Sequence, residues 1–189
     1  MRTEGSFMHK NAEERIFYIN EDITSKISEL IFEILEINRK DKEEEESKKS
    51  YTREPIKLYI SSYGGALDQM WALVDVILAS KTPVHTISLG FAESAGFKIF
   101  ISGHKRFVAK HTKLMYHQLS CGTSGKITNM AEDVAQLVKG QNEIEKYVLE
   151  HTEIPPQMIL ESREKKKDLF FTAEEAIKYK IADEILETL

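Results

Sequence analysis

The sequence predicts an α/β domain built around a parallel sheet. Two apolar, strand-like runs, residues 56–61 (IKLYIS) and 84–90 (VHTISLG), are each followed by a sharp turn and then by apolar residues at helical spacing. Continuous apolar strands that alternate with amphipathic helices are typical of parallel sheets covered by helices on both faces. Such sheets place their chemistry at the turns that follow the carboxyl ends of the strands.

The composition limits the class of protein. The 189 residues, 41% of them hydrophobic, suit one compact domain, and the net charge of −5 lacks the basic excess of a nucleic-acid-binding protein. The only cysteine is Cys121, which excludes an intrachain disulfide and fits a reducing compartment. Residues 1–14 contain no apolar signal segment, and charged residues interrupt the apolar stretch 74–101. We therefore expect a cytoplasmic protein without a membrane span.

The chain begins with a segment that has no regular pattern. Residues 1–14 are polar, so we expect a mobile arm, or a segment that orders only against a partner, ahead of a single domain at residues 15–189. The first strand of that domain is predicted at residues 15–20 (RIFYIN), which are rich in β-branched and aromatic side chains.

A helix and a block of charge follow this strand. The helix is indicated by apolar residues at helical spacing over residues 27–35, with Thr24 or Ser25 as its N-cap. Residues 38–54 (NRKDKEEEESKKSYTRE) have almost no apolar content, and such blocks are usually solvated loops or frayed helix ends. We therefore expect a surface excursion from which residues 40–50 can be removed without loss of the fold.

The second half of the chain is dominated by one long helix, predicted over residues 126–150. Its apolar residues fall on a near-heptad stripe that packs either on its own domain or on another subunit. The other predicted elements are two short strands, a short helix, a connector, and a last helix with a strand-like end, at residues 106–109, 113–118, 154–166, 168–172 and 173–186.

The segment SLGFAESAGFKIF, residues 88–100, places Ser94 at a strand-to-helix turn. A serine hydroxyl is a poor nucleophile unless a base removes its proton and fixed donors receive the oxyanion that forms. Such a turn exposes the hydroxyl and points the next amide, that of Ala95, into the same space. The match to a G-x-S-x-G elbow is incomplete because Ala92 replaces the first glycine, and a lone serine here is more often a helix cap.

Other residues can complete a catalytic site around this serine. A bare amide in the Gly64–Gly65 turn can donate to an oxyanion, although an ordinary tight turn explains an isolated glycine pair better. His117 ends an apolar strand and is the best placed of six histidines to act as a base. Asp168 is a candidate for the carboxylate that orients the base, but it also suits a solvated residue at the end of a charged run. Spacing alone does not join it to His117.

Different uses of the same residue types are less favoured. A zinc site formed by His104, His111 and His117 has no supporting spacing. His85 lies in mid-strand and is predicted to be a core residue, and Cys121 is predicted to be a packing residue rather than a nucleophile.

Three ordered motifs resemble the caseinolytic protease (ClpP) family, the serine peptidases of the Clp system, over residues 15–186. The family's Y-I-N-S-P-G-G turn and following helix are similar to LYISSYGGALDQMWALVDVI. Its G-x-A-A-S-M-G-A segment, K-R-F run and M-I-H-Q strand are similar to SLGFAESAGFKIFISGHKRFVAKHTKLMYHQ. Its H-T, R-D-x-(F/Y)-x-S-A-x-E-A and D-x-(V/I)-L pattern is similar to HTEIPPQMILESREKKKDLFFTAEEAIKYKIADEIL.

The resemblance implies a fold and an assembly. The fold is a ClpP/crotonase-like superhelix of β-α units with a protruding handle helix, which here corresponds to residues 123–152. Family members stack heptameric rings into a tetradecamer and degrade unfolded polypeptides inside a closed chamber fed by an AAA+ unfoldase. The implied function is therefore a serine endopeptidase in a homo-oligomeric ring, without a nucleic-acid or membrane partner.

The resemblance also implies the roles of individual residues. Ser94 corresponds to the nucleophile, His117 to the general base and Asp168 to the orienting acid, while Gly65 and Ala95 lend the oxyanion amides. The aspartate is assigned because the acid of the family directly precedes an x-(F/Y)-x-(S/T)-A run. No cofactor and no metal are implied.

Several positions depart from the family pattern. Tyr63 replaces a proline before the paired glycines, Glu93 replaces an alanine before the serine, and Ala95 and Leu119 replace a methionine and a proline. A carboxylate at Glu93 raises the cost of negative charge on the reacting oxygen unless it points away. The charged block at residues 38–54 has no counterpart in compact family members.

Three other interpretations stay open at this point. A ring subunit or scaffold can keep the fold without efficient turnover, as Glu93 suggests. A crotonase-like acyl-CoA enzyme would use two amides for a thioester enolate and would not need Ser94, His117 or Asp168. A serine-lysine peptidase would use Lys98, although this side chain is expected to project along the helix rather than into the turn.

Overall fold

A computed structural model describes residues 8–11 and 13–188, which fold around an eight-stranded sheet. The strands are β1 (Met8–Asn11), β2 (Ile16–Ile19), β3 (Ile56–Ser62), β4 (Val84–Glu93), β5 (Lys105–Ala109), β6 (Lys113–Tyr116), β7 (Leu169–Phe171) and β8 (Glu184–Leu186). The helices are α1 (Ile27–Ser47), α2 (Leu67–Ala79), α3 (Ala95–Ile101), α4 (Ile127–His151), α5 (Pro156–Lys165) and α6 (Ala173–Lys178).

The sheet is mainly parallel, which confirms the predicted α/β class. Its main path runs β1-β2-β3-β4-β5-β8, and every pair along it is parallel except β1 with β2. Strand β6 lies off this path, parallel to β4 and antiparallel to β7. Among the helices of the described residues, none is long and apolar enough to cross a membrane.

Some elements differ from the prediction at their ends. Four residues of the predicted arm, Met8–Asn11, form β1 against β2, while the rest of that arm up to residue 7, and residue 12, lie outside the described residues. Helix α1 begins at Ile27 without a side-chain cap, so neither predicted N-cap residue acts as one. The predicted connector at residues 168–172 contains strand β7, because it pairs with β6.

The charged block at residues 38–54, which the sequence indicated as a surface excursion made of a solvated loop or a frayed helix end, is largely helical. Helix α1 continues through it to Ser47, with ion pairs one turn apart, such as Arg39 with Glu43 at 2.6 Å. The side of the helix that faces the domain carries Asp41, which is fully buried. The sequence did not reveal this contact, because a single buried carboxylate has no periodic signature within a run of charged residues.

Asp41 is the centre of a buried polar network. Its carboxylate accepts hydrogen bonds from Arg15 Nη2 at 2.5 Å, from the Tyr51 hydroxyl at 2.6 Å and from Thr82 Oγ1 at 2.6 Å. Burial by itself would raise the pKa of Asp41, but the hydrogen bonds from Arg15, Thr82 and Tyr51 outweigh it and hold the pKa below its ordinary value. The network ties α1 to the start of β2 and to the loop before β4.

Strand β4 changes partners along its length. Residues 85–88 pair with β5, whereas residues 91–93 pair with β6. Gly90 lies between the two segments with φ of 78°, a left-handed conformation that favours glycine. The exchange of partners brings the carboxyl ends of β4 and β6 side by side, where the sequence placed its candidate site.

Helix α3 lies at the centre of the domain directly after this strand end. All of its residues, Ala95–Ile101, are buried. The helix approaches β3 closely, since a Cβ at Gly96 would lie 3.0 Å from the Ser62 carbonyl oxygen. Its first turn is therefore held against the ends of both β3 and β4.

We predict that Asp41→Ala lowers the free energy of unfolding by about 2 to 3 kcal/mol, because it leaves a guanidinium and two hydroxyls without their acceptor. The native pKa of Asp41 is lowered, so its contribution is complete above the ordinary carboxylate pKa and is lost as the pH falls through the native value. Urea denaturation of both proteins should therefore give a difference that shrinks in acid.

The exposed neighbour Lys42 provides the control, since Lys42→Ala should change stability by no more than about 0.5 kcal/mol. Equal losses in the two variants would contradict the role of the buried carboxylate. Deletion of residues 40–50 would also remove Asp41, so we now expect that deletion to destabilise the fold.

Candidate active site

Ser94 connects β4 to α3 in a strained backbone conformation. Its φ of 53° and ψ of −117° lie outside the regions that residues with a side chain favour. Its amide donates to the Met115 carbonyl at 3.0 Å, and its carbonyl accepts from the Lys98 amide at 3.3 Å. The hydroxyl makes no capping hydrogen bond to α3, so it is free for another partner.

That partner is the imidazole of His117. The distance between Ser94 Oγ and His117 Nε2 is 2.7 Å. The contact follows from the strand register. In the parallel ladder of β4 and β6, Glu93 pairs with Met115. Ser94 lies one residue beyond Glu93, and His117 lies two residues beyond Met115. Parallel pairing makes the two strand ends emerge at the same edge of the sheet.

The surroundings of His117 keep its ring neutral at neutral pH. Burial lowers the pKa of the imidazole, the positive charge of Lys98 lowers it further, and the negative charge of Asp168 acts in the opposite direction. A neutral ring has one nitrogen that can accept a proton. The Ser94–His117 pair is therefore in the protonation state that proton transfer from the hydroxyl requires.

Asp168 lies near His117 but does not bond to it. Strand β7 runs antiparallel to β6 and pairs Leu169 with Tyr116, so continuation of the register puts residues 168 and 117 opposite each other. The carboxylate is exposed, and among the described residues no hydrogen bond joins it to the imidazole. It acts on the ring through its charge alone. Of the three side chains, the structure joins the serine and histidine and brings the aspartate within electrostatic range.

Gly64 brings the backbone of the turn that follows β3 against Ser94. A Cβ at Gly64 would lie 2.7 Å from the Ser94 Cβ and 2.9 Å from the Ala95 nitrogen, so only glycine fits there. Gly65 forms an isolated parallel bridge with Ile23, and the residues on either side of Gly65 make the two hydrogen bonds of this bridge. The Ile23 amide donates to the Gly64 carbonyl at 2.7 Å, and the Ala66 amide donates to the Ile23 carbonyl at 2.8 Å. Within the part of the chain that the structure describes, this pattern leaves the Gly65 N–H without an acceptor.

Among residues 8–11 and 13–188, the amide of Ala95 has no hydrogen-bond acceptor either. Ala95 is the first residue of α3, and the first amides of a helix have no intrahelical acceptor. A negative oxygen bound there is further stabilised by the positive end of the helix dipole. The candidate site thus combines a hydroxyl, a neutral imidazole, a nearby carboxylate and two backbone donors, as acyl transfer requires.

Comparison with known proteins identifies the family. The model of the family described as Clp protease matches residues 3–189. The chain belongs to the Clp protease family. The match confirms the resemblance inferred from the sequence and makes the chain a ClpP-like serine peptidase.

Two curated Clp relatives show how far the similarity extends. ATP-dependent Clp protease proteolytic subunit 2 of Corynebacterium diphtheriae is 28% identical over 191 residues, which cover 100% of this chain and 90% of the relative. The ATP-dependent Clp protease proteolytic subunit of Deinococcus radiodurans is 25% identical over 177 residues, covering 92% of this chain and 81% of the relative.

The structure gives two departures from the Clp family pattern a physical context. Tyr63 is exposed and stacks on Phe91 with ring centroids 4.2 Å apart. Leu119 replaces a proline and so supplies a backbone N–H, which donates to Gln141 Oε1 at 2.8 Å.

Lys98 is a functional candidate that sequence reasoning considered only as the base of a serine-lysine peptidase. Its side chain is buried, and its Nζ lies 5.3 Å from the centroid of the Tyr116 ring, next to His117 in the chain. Burial lowers the pKa of the lysine to about 8. Among the described residues no hydrogen bond links its amine to Ser94, so its effect on the site is electrostatic. The one signal in the sequence was a lysine within the otherwise apolar run FKIFI.

Among the described residues, no hydrogen bond joins His85, His104 or Cys121 to Ser94 or His117. His104 Nδ1 accepts the Val84 amide at 3.0 Å, and no group of three or more potential metal ligands forms within the described part of the chain. Cys121 is exposed, so its prediction as a packing residue was wrong. His85 is only partly buried in β4.

We predict that Lys98→Met raises the pKa of His117, because it removes a buried positive charge that disfavours the imidazolium. The lysine is charged throughout the titration of the histidine, since its own pKa is about 8. NMR titration of the His117 ring measures the change. Lys113→Met, which removes an exposed lysine from β6, the strand that leads to His117, should leave the pKa of His117 unchanged. An unchanged or lower pKa in Lys98→Met would contradict the electrostatic role.

Proposed function

We propose that this protein is a serine endopeptidase that hydrolyses unfolded polypeptides or peptides with Ser94 as nucleophile, His117 as general base and Asp168 as orienting acid. The observation that carries the proposal is the 2.7 Å contact between Ser94 Oγ and His117 Nε2 at a strained strand-to-helix turn. A strained conformation at such a turn is typical of nucleophiles. A crotonase-like acyl-CoA enzyme would have no use for this contact.

In the proposed reaction, the imidazole takes the hydroxyl proton as Ser94 Oγ attacks the peptide carbonyl carbon. The carbonyl oxygen becomes an oxyanion and accepts hydrogen bonds from the amides of Gly65 and Ala95. The imidazolium then gives its proton to the leaving amine as the C–N bond breaks, which leaves an acyl-serine. A water molecule, deprotonated by His117, releases the acid and restores the hydroxyl.

The carboxylate of Asp168 stabilises the imidazolium that forms during this cycle. Its charge already raises the pKa of the ring. Catalytic hydrogen bonds are often unformed before substrate binds, so we propose that the exposed side chain approaches His117 Nδ1 in the working enzyme. In that position it would also hold the tautomer that leaves Nε2 free to accept.

We predict that Ser94→Ala and His117→Ala each abolish hydrolysis of a fluorogenic peptide, and that Asp168→Asn lowers kcat/KM by about a hundredfold or more. A fluorophosphonate probe should label Ser94 in the wild type and fail to label Ser94→Ala. Ser120→Ala removes an exposed serine of a neighbouring loop and should retain full activity and labelling.

Other outcomes would favour the alternatives. Folded wild type without hydrolysis or labelling would support a catalytically silent scaffold. Acyl-CoA turnover that survives the Ser94→Ala, His117→Ala and Asp168→Asn changes together would support a crotonase-like enzyme.

We further propose that α4 packs against another copy of the chain in a stacked ring, in the cytoplasm and with an AAA+ unfoldase as a possible partner. Residues 127–140 of this helix include none that is buried, and they expose the apolar side chains of Ile127, Val134 and Val138 along one stripe. The relatives are named as proteolytic subunits of ATP-dependent proteases, which supports both a multi-subunit assembly and a nucleotide-driven partner.

We predict that the double variant Val134→Asp/Val138→Asp forms smaller particles than the wild type, because two charges on the apolar stripe must be desolvated on assembly. Native mass spectrometry measures the particle mass. Lys139→Asp adds the same side chain at an exposed position of α4 and should assemble normally. An unchanged mass for the double variant would contradict assembly through this stripe.

A further inference from the structure

Gln141 lies where helix α4 leaves the body of the domain. It is the first buried residue of the helix, with 6% of its surface exposed, and the residues before it in α4 are all partly or fully exposed. Long polar side chains are seldom buried to this extent without a defined set of hydrogen bonds. The partners of Gln141 therefore indicate what the residue does.

The partners lie on both sides of His117. The Oε1 atom of Gln141 accepts the Leu119 amide at 2.8 Å, and Nε2 donates to the Tyr116 hydroxyl at 3.3 Å. The same Nε2 donates to Glu145 Oε1 at 2.8 Å. The two donors and the acceptor of the amide group are all occupied, so the side chain has one orientation. It thereby fixes the segment that carries the imidazole.

The contact with Leu119 depends on a particular feature of this sequence. Where this chain has Leu119, the family pattern has a proline, which has no N–H to donate. The leucine creates a donor at this position, and the amide of Gln141 is its acceptor. An unpaired backbone N–H there would be costly, so the leucine and the glutamine suit each other.

The hydrogen bonds continue from Gln141 toward the segment that carries Asp168. Glu145 forms an ion pair with Arg163 of α5 at 3.2 Å. The adjacent Ser162 Oγ donates to the Lys167 carbonyl at 2.6 Å, and the Lys167 amide donates to the Ser162 carbonyl at 3.0 Å. Lys167 directly precedes the aspartate, so one polar network restrains both segments relative to α4.

We propose that Gln141 is a positioning residue, which fixes residues 116–119 through its hydrogen bonds to Leu119 and Tyr116 and thereby holds the His117 imidazole at the Ser94 hydroxyl. The proposal rests on the proposed peptidase function. His117 directly follows Tyr116 and precedes Leu119 by two residues. Movement of this short segment therefore displaces His117 Nε2 relative to Ser94 Oγ. Displacements of about 1 Å at a reacting centre lower rates strongly, even when their cause is remote.

The test is Gln141→Met, which keeps a similar volume and removes the amide group. We expect amide hydrogen exchange at Leu119 to accelerate on the order of tenfold and kcat for a fluorogenic peptide to fall on the order of tenfold, with KM unchanged. Asn142→Met introduces the same side chain at an exposed neighbouring position of α4 and should leave both quantities at the wild-type value.

Leu119→Pro provides a second variant that removes the same hydrogen bond from the other side. If the bond to Gln141 is what holds the segment, Gln141→Met in the Leu119→Pro background should lower kcat by much less than it does alone. Full additivity of the two changes would overturn the proposal. If Gln141→Met does not fold, Leu119→Pro alone must lower kcat with KM unchanged, and a wild-type kcat would overturn the proposal.

The outcomes separate this proposal from the proposed function. If the wild type neither hydrolyses peptides nor reacts with the fluorophosphonate, the proposed peptidase function is wrong. The positioning role of Gln141 is then tested by amide exchange and by NMR titration of His117. Faster exchange over residues 116–119 with an altered His117 pKa in Gln141→Met supports it. Normal exchange, or faster exchange with wild-type kcat in an active enzyme, overturns it.

Discussion

The Ser94 amide donates a hydrogen bond to the Met115 carbonyl over 3.0 Å, and this bond ends the parallel ladder between β4 and β6. The geometry of the site depends on this register. A shift by one residue would move every side chain of β6 to the opposite face and carry His117 away from the serine. Gly90, in a left-handed conformation that favours glycine, lies where β4 exchanges β5 for β6. The site is therefore a consequence of strand pairing.

Burial and charge then determine the protonation state of the base. The charge of the buried Lys98 lowers the pKa of the His117 ring, and the charge of the exposed Asp168 carboxylate raises it. Burial and the charge of Lys98 together outweigh the charge of Asp168, so the ring is neutral when no substrate is bound. The exposed position of Asp168 leaves that carboxylate free to respond once the ring becomes positively charged. In the proposed mechanism the neutral ring accepts the serine proton, and Asp168 stabilises the ring once it is charged.

Much of the fold could be predicted because apolar periodicity is local information. It located β3, α2, β4 and α4, and the Ser94 turn between a strand and a helix. The pairing of β6 with both β4 and β7 is not local, so spacing alone could not join His117 to Asp168. Single buried polar residues were missed for a related reason. Asp41 and Gln141 lie in helices rich in polar residues, where only the partners from distant segments distinguish them.

The most direct test of the Ser94 site is an experimental structure of the protein after reaction with a peptide boronate, which forms a tetrahedral adduct on the nucleophile. We expect a bond from boron to Ser94 Oγ, with one boronate oxygen about 2.7 to 3.1 Å from the amide nitrogens of both Gly65 and Ala95. A boronate bound elsewhere, or an adduct whose oxygens contact neither amide, would contradict it.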